Sequence, residues 1–320
     1  NAAGCINFGF PVIADTPIPQ VLPTGICTYE HVISNVPYED MVAKAVETRG
    51  LKVTVAEVPI PIAYGPAFEG ERVRGDDIFL ECGGGRTQMI ELSEMKDMSE
   101  VEDGKVEVIG PDMGDLKPKS RLPMAIFVEI AGRQMQEDFL PILERQIHHL
   151  VNYAQGLMHI GQRDIAWIRI AKQAVEKGLT LKDIGKIIHA MYHKDFGAIL
   201  DKVQITIYTE EEKVQEITAK AREVFKTRDA RIADMTDEAE NTYYSCTLCQ
   251  SCAPSHLCVV TPERTGLCGA YNWLDCKASN EINPPGPNQP IEKGDVLDEN
   301  LGSWAGVNAF IKQASRGNVE

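Results

Sequence analysis

The sequence predicts an α+β fold, mixed α/β in places, divided among more than one domain. Strand-like alternation and helical three-and-four spacing occur in separate runs through the first two thirds of the chain. Its 320 residues exceed what one ordinary core organises. The last third changes character: it is rich in Pro, Gly and Asn and holds six of the nine cysteines.

Residues 1–52 are expected to be the C-terminal end of an α/β domain whose start precedes Asn1. "INFGFPVIADTPIP" carries a short apolar strand and a Pro-punctuated loop. "YEDMVAKAVETRG" sets Met41, Val42, Ala45 and Val46 at helical spacing, with Gly50 as a stop. "LKVTVAEV" then alternates as a strand.

Residues 53–228 are expected to form a middle α+β domain, with strands near 53–57, 78–92, 124–131 and 203–208. "DIFLECGGGRTQMIELSE" reads as strand, Gly-rich turn, strand. It lacks the Lys and Ser/Thr of a phosphate loop and no helix follows, so a plain hairpin or bulge is expected. The acidic, Gly- and Pro-dotted 93–121 stretch reads as a solvated connection, and "MAIFVEIAG" at 124–132 as a buried strand. A long helix from about 137 carries Phe139, Leu143, Ile147, Leu150, Ala154 and Leu157 as one apolar stripe. A second helix is expected over 164–177, and a third carries Ile184, Ile187, Ile188 and Met191. Val203, Ile205 and Ile207 alternate as a half-exposed strand. The helix "EEEKVQEITAKAREVFKTR" starts with acids and ends with bases, matching its macrodipole. Residues 229–320 form the third unit: a polar bridge, the cysteine stretch, the loop "NEINPPGPNQPIEKGD", and a last helix over about 303–314.

Thirty-two basic against 47 acidic residues leave a net charge of −15. No basic surplus is available to neutralise phosphates, which argues against nucleic acid as the main partner. No signal-peptide pattern and no apolar run of membrane-spanning length occur, so the chain is read as a cytoplasmic piece of a longer protein with no membrane partner. In a reducing compartment clustered cysteines are metal ligands before they are disulfides. Cys5, Cys27 and Cys82 stand alone and read as small buried hydrophobes.

The stretch "CTLCQSCAPSHLCVVTPERTGLCGAYNWLDC" sets Cys246, Cys249 and Cys252 as CxxCxxC, followed by Cys258, Cys268 and Cys276. Thiolates at such spacing suit zinc or an iron–sulfur cluster. Inert buried thiols would need an apolar, periodic context, which "QSCAPSHLC" does not offer. A bacterial ferredoxin run would put a cysteine where His256 stands and a proline after it. A zinc ribbon would need a second CxxC. Spacing alone favours one four-cysteine cluster and leaves open which four.

The same stretch, extended to "YYSCTLCQSCAPSHLCVVTPERTGLCGAYNWLDCKAS" and followed by "EINPPGPNQPI", closely resembles the catalytic subunit of acetyl-CoA synthase. That family is the partner of carbon monoxide dehydrogenase in the acetyl-CoA pathway of anaerobes. "GPAFEGERVRGDD" resembles the start of its middle domain, and the resemblance covers essentially the whole chain. It implies an acyltransferase that builds acetyl-CoA from a corrinoid-bound methyl group, carbon monoxide and coenzyme A. It makes 229–320 the beginning of the metal-cluster domain. The family pattern C-x2-C-x8-C-x9-C implies a [4Fe-4S] cluster on Cys246, Cys249, Cys258 and Cys268. Cys249 would also bridge to nickel, which gives it the catalytic role. Cys252 departs from the pattern, which has phenylalanine there, and reads as a bystander; Cys276 reads as structural. The family's Cys-Gly-Cys segment, which holds a distal nickel, is not in this sequence. The full centre is therefore expected to need residues outside the 320, and this piece alone is expected to be inactive.

The implied partners are a carbon monoxide dehydrogenase subunit, a corrinoid iron–sulfur protein, coenzyme A and carbon monoxide. The family's coenzyme A site, a tryptophan among arginines in the middle domain, maps onto Trp167, with Arg163 one helical turn before it and Arg169 nearby. The plainer reading of these residues is a core tryptophan on a helix with solvated arginines. His256 reads as a donor to the cluster or an exposed loop residue; adjacent His148 and His149 have no metal-pair spacing. Two rival readings of the cysteines are an electron-transfer protein with a single [4Fe-4S] cluster and a zinc-stabilised interaction module.

Overall fold

A computed structural model describes residues 58–65, 68–69, 72–249, 256–315, 317 and 319, and the backbone of 250 and 251. All belong to one compact unit, Ala56–Glu320. The elements expected within 1–57, with Cys5 and Cys27, and the last cysteine of the CxxCxxC run, Cys252, lie outside the described residues.

Four strands form the central sheet. They are β2 (Met89–Met95), β3 (Val106–Ile109), β5 (Met124–Ala131) and β8 (Lys202–Tyr208), in the order β2-β5-β8-β3. β2 and β5 run parallel, as do β3 and β8, while β5 and β8 are antiparallel in register Val128↔Ile205. β5 is apolar at every position but Glu129 because both of its faces are covered. Met124, Ile126, Val128 and Ile130 join the main core with helices α1 (Leu140–Asn152) and α3 (Leu181–Phe196). Ala125 and Phe127 turn the other way, with Ile90 and Leu92 of β2. They meet Val214, Ile217, Ala221 and Phe225 of α4 (Glu211–Ala233). Each fully buried aliphatic side chain here contributes roughly 1.5–3 kcal/mol.

The second sheet has the order β4-β1-β7-β6, from β1 (Ile78–Gly83), β4 (Ser120–Arg121), β6 (Leu157–Gln162) and β7 (Ile165–Ala171). β6 and β7 are a hairpin, and β1 lies antiparallel on β7. A short helix, α2 (Lys172–Glu176), follows. Beyond α4, β9 (Thr242–Cys246) is the centre of a three-stranded antiparallel sheet with β10 (Cys258–Val260) and β11 (Pro290–Glu292). Helix α5 (Trp273–Ile282) packs on β9. A ribbon of β12 (Val296–Asp298) and β13 (Ser303–Trp304) leads into α6 (Ala305–Ala314).

Several expectations are corrected. β1 and β2 are not a hairpin but belong to different sheets, and the glycines between them let the chain cross over. Gly83 has φ +77°, and a Cβ there would meet the Ala166 carbonyl oxygen at 2.1 Å. The expected helix over 164–177 is mostly strand β7, because Ala166, Ile168 and Ile170 are buried at period two. α1 ends at Asn152; Ala154 and Leu157 are buried, but on a turn and the start of β6. The acidic 93–121 connection contains an edge strand, β3, and the proline-rich loop contributes β11. α5 has no counterpart among the expected elements. Its signal is the Asn272–Asp275 capping box, in which each side chain accepts the other's backbone N–H. α4 runs to Ala233, past the expected end at 228.

Candidate metal centre

The local fold of the small sheet gathers the cysteines. β9 buries Tyr243, Tyr244, Ser245 and Cys246 and delivers Cys246 at its end. The chain then turns through a 3-10 segment, Leu248–Ser251, that carries Cys249. β10 returns beside β9 with Cys258 directly opposite Cys246. A tight bridge between Thr261 and Arg264 folds the chain back again, and Cys268 sits in the turn beyond it. There the Gly266 N–H donates to the Tyr271 carbonyl at 2.8 Å.

Cys246, Cys249, Cys258 and Cys268 all line one cavity of about 460 Å³. None of the six described cysteines is in a disulfide. Among the described residues, no three of these sulfurs come within 4.8 Å of one another. A tetrahedral zinc would hold its sulfurs about 3.8 Å apart, given Zn–S near 2.3 Å. A four-iron cube spreads its thiolates over its corners.

The donors around the sulfurs fit an anionic cluster. The Leu267 N–H donates to Cys258 Sγ at 3.5 Å and the Ala270 N–H to Cys268 Sγ at 3.4 Å. His256 Nε2 lies 3.2 Å from Cys258 Sγ. Arg145 lines the cavity, with its guanidinium 4.5 Å over the Tyr271 ring and bonded to Asp275 at 2.9 Å. Its Nη1 is buried without a hydrogen-bond partner among the described atoms, as is Nδ1 of His148 on the same wall. Burial pulls His148 down to about 3, helped by His149 and His159, so its ring is neutral. Burial pushes the Cys246 thiol up, and Cys258 and Cys268 push it further. A metal displaces that proton, since the thiolate is the ligand. Cys276 has 0% exposure, inside α5, and accepts from Asn288 Nδ2 at 3.2 Å. Cys82 is equally buried, its thiol pushed up to about 12.

The second cluster of candidate residues lies on β1 and β7. Trp167 and Arg169 stand two apart on β7, on the face opposite Ile168, and the Arg169 guanidinium sits 4.3 Å over the indole ring. Both donate to Glu81 Oε1, Arg169 at 2.7 Å and Trp167 at 3.2 Å. Arg86 and Arg121 reach the other oxygen at 2.7 and 3.3 Å. Three guanidiniums thus surround one carboxylate. Gly84, at φ +66°, lies so close beneath the indole that a Cβ would be 2.8 Å from it. Arg163 is elsewhere. It occupies the β6–β7 turn with φ 50°, is bonded to Asp229, and lies 5.8 Å over Phe225. The helical turn expected to join it to Trp167 does not exist, because this segment is a hairpin.

Arg145, His148, Glu81, Arg86 and Arg121 are at these sites without having been legible there from the sequence. Glu81 has a signal: an acid inside an otherwise apolar strand must be partnered. His148 and Arg145 have none, because their position depends on how the α1 wall meets the small sheet.

Known proteins are similar to this chain along most or all of its length. Residues 60–214 match the family model described as CO dehydrogenase/acetyl-CoA synthase complex beta subunit. Residues 225–320 match the model for the C-terminal part of the ACS/CODH beta subunit. The chain is 49% identical over 321 residues to the carbon monoxide dehydrogenase/acetyl-CoA synthase subunit alpha of Moorella thermoacetica, covering all of this chain and 43% of that protein. It is 41% identical over 318 residues to acetyl-CoA decarbonylase/synthase complex subunit beta 1 of Methanocaldococcus jannaschii, covering 99% and 41%. With the acetyl-CoA decarbonylase/synthase complex subunit beta of Methanopyrus kandleri it shares 43% over 267 residues, covering 83% and 57%. The chain thus spans between about two fifths and three fifths of the length of these relatives. No described helix is long and apolar enough to cross a membrane.

Proposed function

The chain belongs to the CO dehydrogenase/acetyl-CoA synthase beta-subunit family, and on that premise we propose that it is the part of an acetyl-CoA synthase that holds its iron–sulfur cluster and receives coenzyme A. The observation that carries this reading is the convergence of Cys246, Cys249, Cys258 and Cys268 on one cavity. The four thiolates would hold a [4Fe-4S] cluster, with Cys249 shared with nickel. When bound, that centre supplies the soft metal at which a methyl group and carbon monoxide are joined and passed to a thiol. The chain's own residues set its surroundings. The Leu267 and Ala270 amides donate toward the sulfurs and stabilise their negative charge, and His256 Nε2 would do the same in the tautomer that carries its proton there. Arg145 places a buried cation on the wall, held in orientation by Asp275.

In this proposal carbon monoxide comes from a carbon monoxide dehydrogenase subunit and methyl from a corrinoid iron–sulfur protein, in the cytoplasm. Residues 53–228 serve as the middle domain and 229–320 as the beginning of the metal-cluster domain, after the end of an α/β domain in 1–52. Coenzyme A would be taken by Trp167 and Arg169, with Arg86 and Arg121 beside them. The surplus of guanidinium charge over Glu81 suits phosphates, and Arg169 stacked on the indole holds that charge in place. Arg163 stands four residues along the hairpin from Trp167, roughly 13 Å at strand rise, and would meet only a ligand lying along it.

Two experiments test the reading. Iron content and visible absorption are measured after anaerobic reconstitution. Each of Cys246→Ser, Cys249→Ser, Cys258→Ser and Cys268→Ser should lower both, and retention of a full cluster by Cys258→Ser would defeat the ligand set. Coenzyme A binding is followed by tryptophan quenching. Trp167→Phe should abolish the signal, and Arg169→Ala should weaken binding by about 1–3 kcal/mol. Unchanged quenching in Trp167→Phe would move the site elsewhere.

A further inference from the structure

On α3, away from the cysteine cavity, two histidines stand one helical turn apart. His189 and His193 are spaced i, i+4, so both rings leave the same face, with centroids 4.6 Å apart. Both direct Nε2 at one oxygen of Asp103, at 3.0 and 2.8 Å. The same Oδ1 accepts the Val203 backbone N–H at 3.0 Å. Three donors therefore compete for one carboxylate oxygen, which offers about two lone-pair sites. The arrangement also requires both imidazoles to carry a proton on Nε2.

A metal ion resolves that crowding. Two imidazole nitrogens and a carboxylate oxygen, all within 4.8 Å of one another, are the ligand set and spacing that a divalent ion of borderline softness takes. The frame is fixed independently of any ion. The Gly104 N–H donates to the Val203 carbonyl at 3.0 Å and the Glu102 N–H to Gln204 Oε1 at 3.1 Å, so the 102–104 turn is laced to β8. The histidines are held by α3, which packs on β8 and β3. All three side chains are reachable from solvent, at 27%, 32% and 41% exposure, so an ion has an entry path and water can complete its coordination. None of the three residues lines the cysteine cavity.

We propose that Asp103, His189 and His193 form a second metal site, a mononuclear two-histidine, one-carboxylate centre for zinc or a similar divalent transition ion. It pins the C-terminal half of α3 to the turn before β3 and to the start of β8. This inference is independent of the cluster assignment, since its ligands are nitrogen and oxygen rather than sulfur.

The test uses the full chain after its cysteine site has been loaded with iron and sulfide, with zinc chloride alone as the probe. Zinc is titrated by calorimetry, and crystals soaked in zinc are read by anomalous scattering at the zinc edge. One ion per chain is expected, with density about 2.0–2.2 Å from both Nε2 atoms and from Asp103. His189→Gln and His193→Gln should each weaken binding by more than the roughly 10–100-fold that outer-shell partners carry. Asp103→Asn should weaken it as well, and zinc should raise the thermal midpoint of the unaltered chain alone. Circular dichroism without zinc checks that the variants fold. Unchanged zinc affinity in the histidine variants, density only at cysteines, or binding only at millimolar zinc without a shift in midpoint would each overturn the proposal.

Discussion

Replacing Glu81 with glutamine should reveal how strongly the arginine cluster is anchored. Glu81 is 3% exposed, and burial by itself would raise its carboxyl. The hydrogen bonds from Arg169 and Arg86, the Arg169 charge and the Trp167 N–H outweigh that and hold it at about 2, against an ordinary value of 4.5. A folded value below the unfolded one means that the ionised form stabilises the fold. That stabilisation is complete above about pH 4.5 and is lost as pH falls toward 2. The difference corresponds to about 3 kcal/mol at 1.36 kcal/mol per tenfold change in acidity. Arg86 and Arg121 are half exposed, at 51% and 55%, and water screens their share, so about 2 kcal/mol is the expected net loss in Glu81→Gln. Urea unfolding of both forms is compared at pH 7 and near pH 2.5. The variant should be less stable at pH 7, and most of the gap should close at the lower pH. Equal stability at pH 7, or a gap that persists undiminished in acid, would show that the Glu81 charge does not anchor the cluster.

Three further outcomes are expected. Asp275→Asn strips the partner from the buried Arg145, both side chains being 8% exposed, and should cost about 3–5 kcal/mol in urea unfolding. Combining Arg145→Met with Asp275→Leu should recover much of that, and a double variant no better than the single one would contradict it. Gly84→Ala pushes a Cβ to within 2.8 Å of the Trp167 indole at a positive φ. It should cost about 1–3 kcal/mol and shift the Trp167 emission; an unperturbed spectrum would show that the ring has room. Cys276→Ala should leave iron content unchanged while lowering stability by about 1–2 kcal/mol, since Asn288 loses a partner. Loss of iron would make Cys276 a ligand.

The proposed cluster site is written in the chain itself. Thiol spacing is a property of the sequence, and the local turns that bring Cys246 opposite Cys258 span only a dozen residues. The apolar runs of β5 and β8 and the stripes of α1 and α3 are equally legible, because a buried face imposes its period on the residues that fill it. Long-range packing settled what period alone could not. The segment at 165–171 carries apolar residues that fit a helix or a strand, and its partners β1 and β6 made it a strand, which set Trp167 beside Arg169 and took Arg163 away. β1 and β2 look like a hairpin locally, yet each found a better partner far along the chain, in β7 and β5. Glu81, Arg121, Asp103 and the two histidines of α3 come from segments about 40 to 90 residues apart. Their meeting depends on contacts between distant elements, which no local pattern encodes.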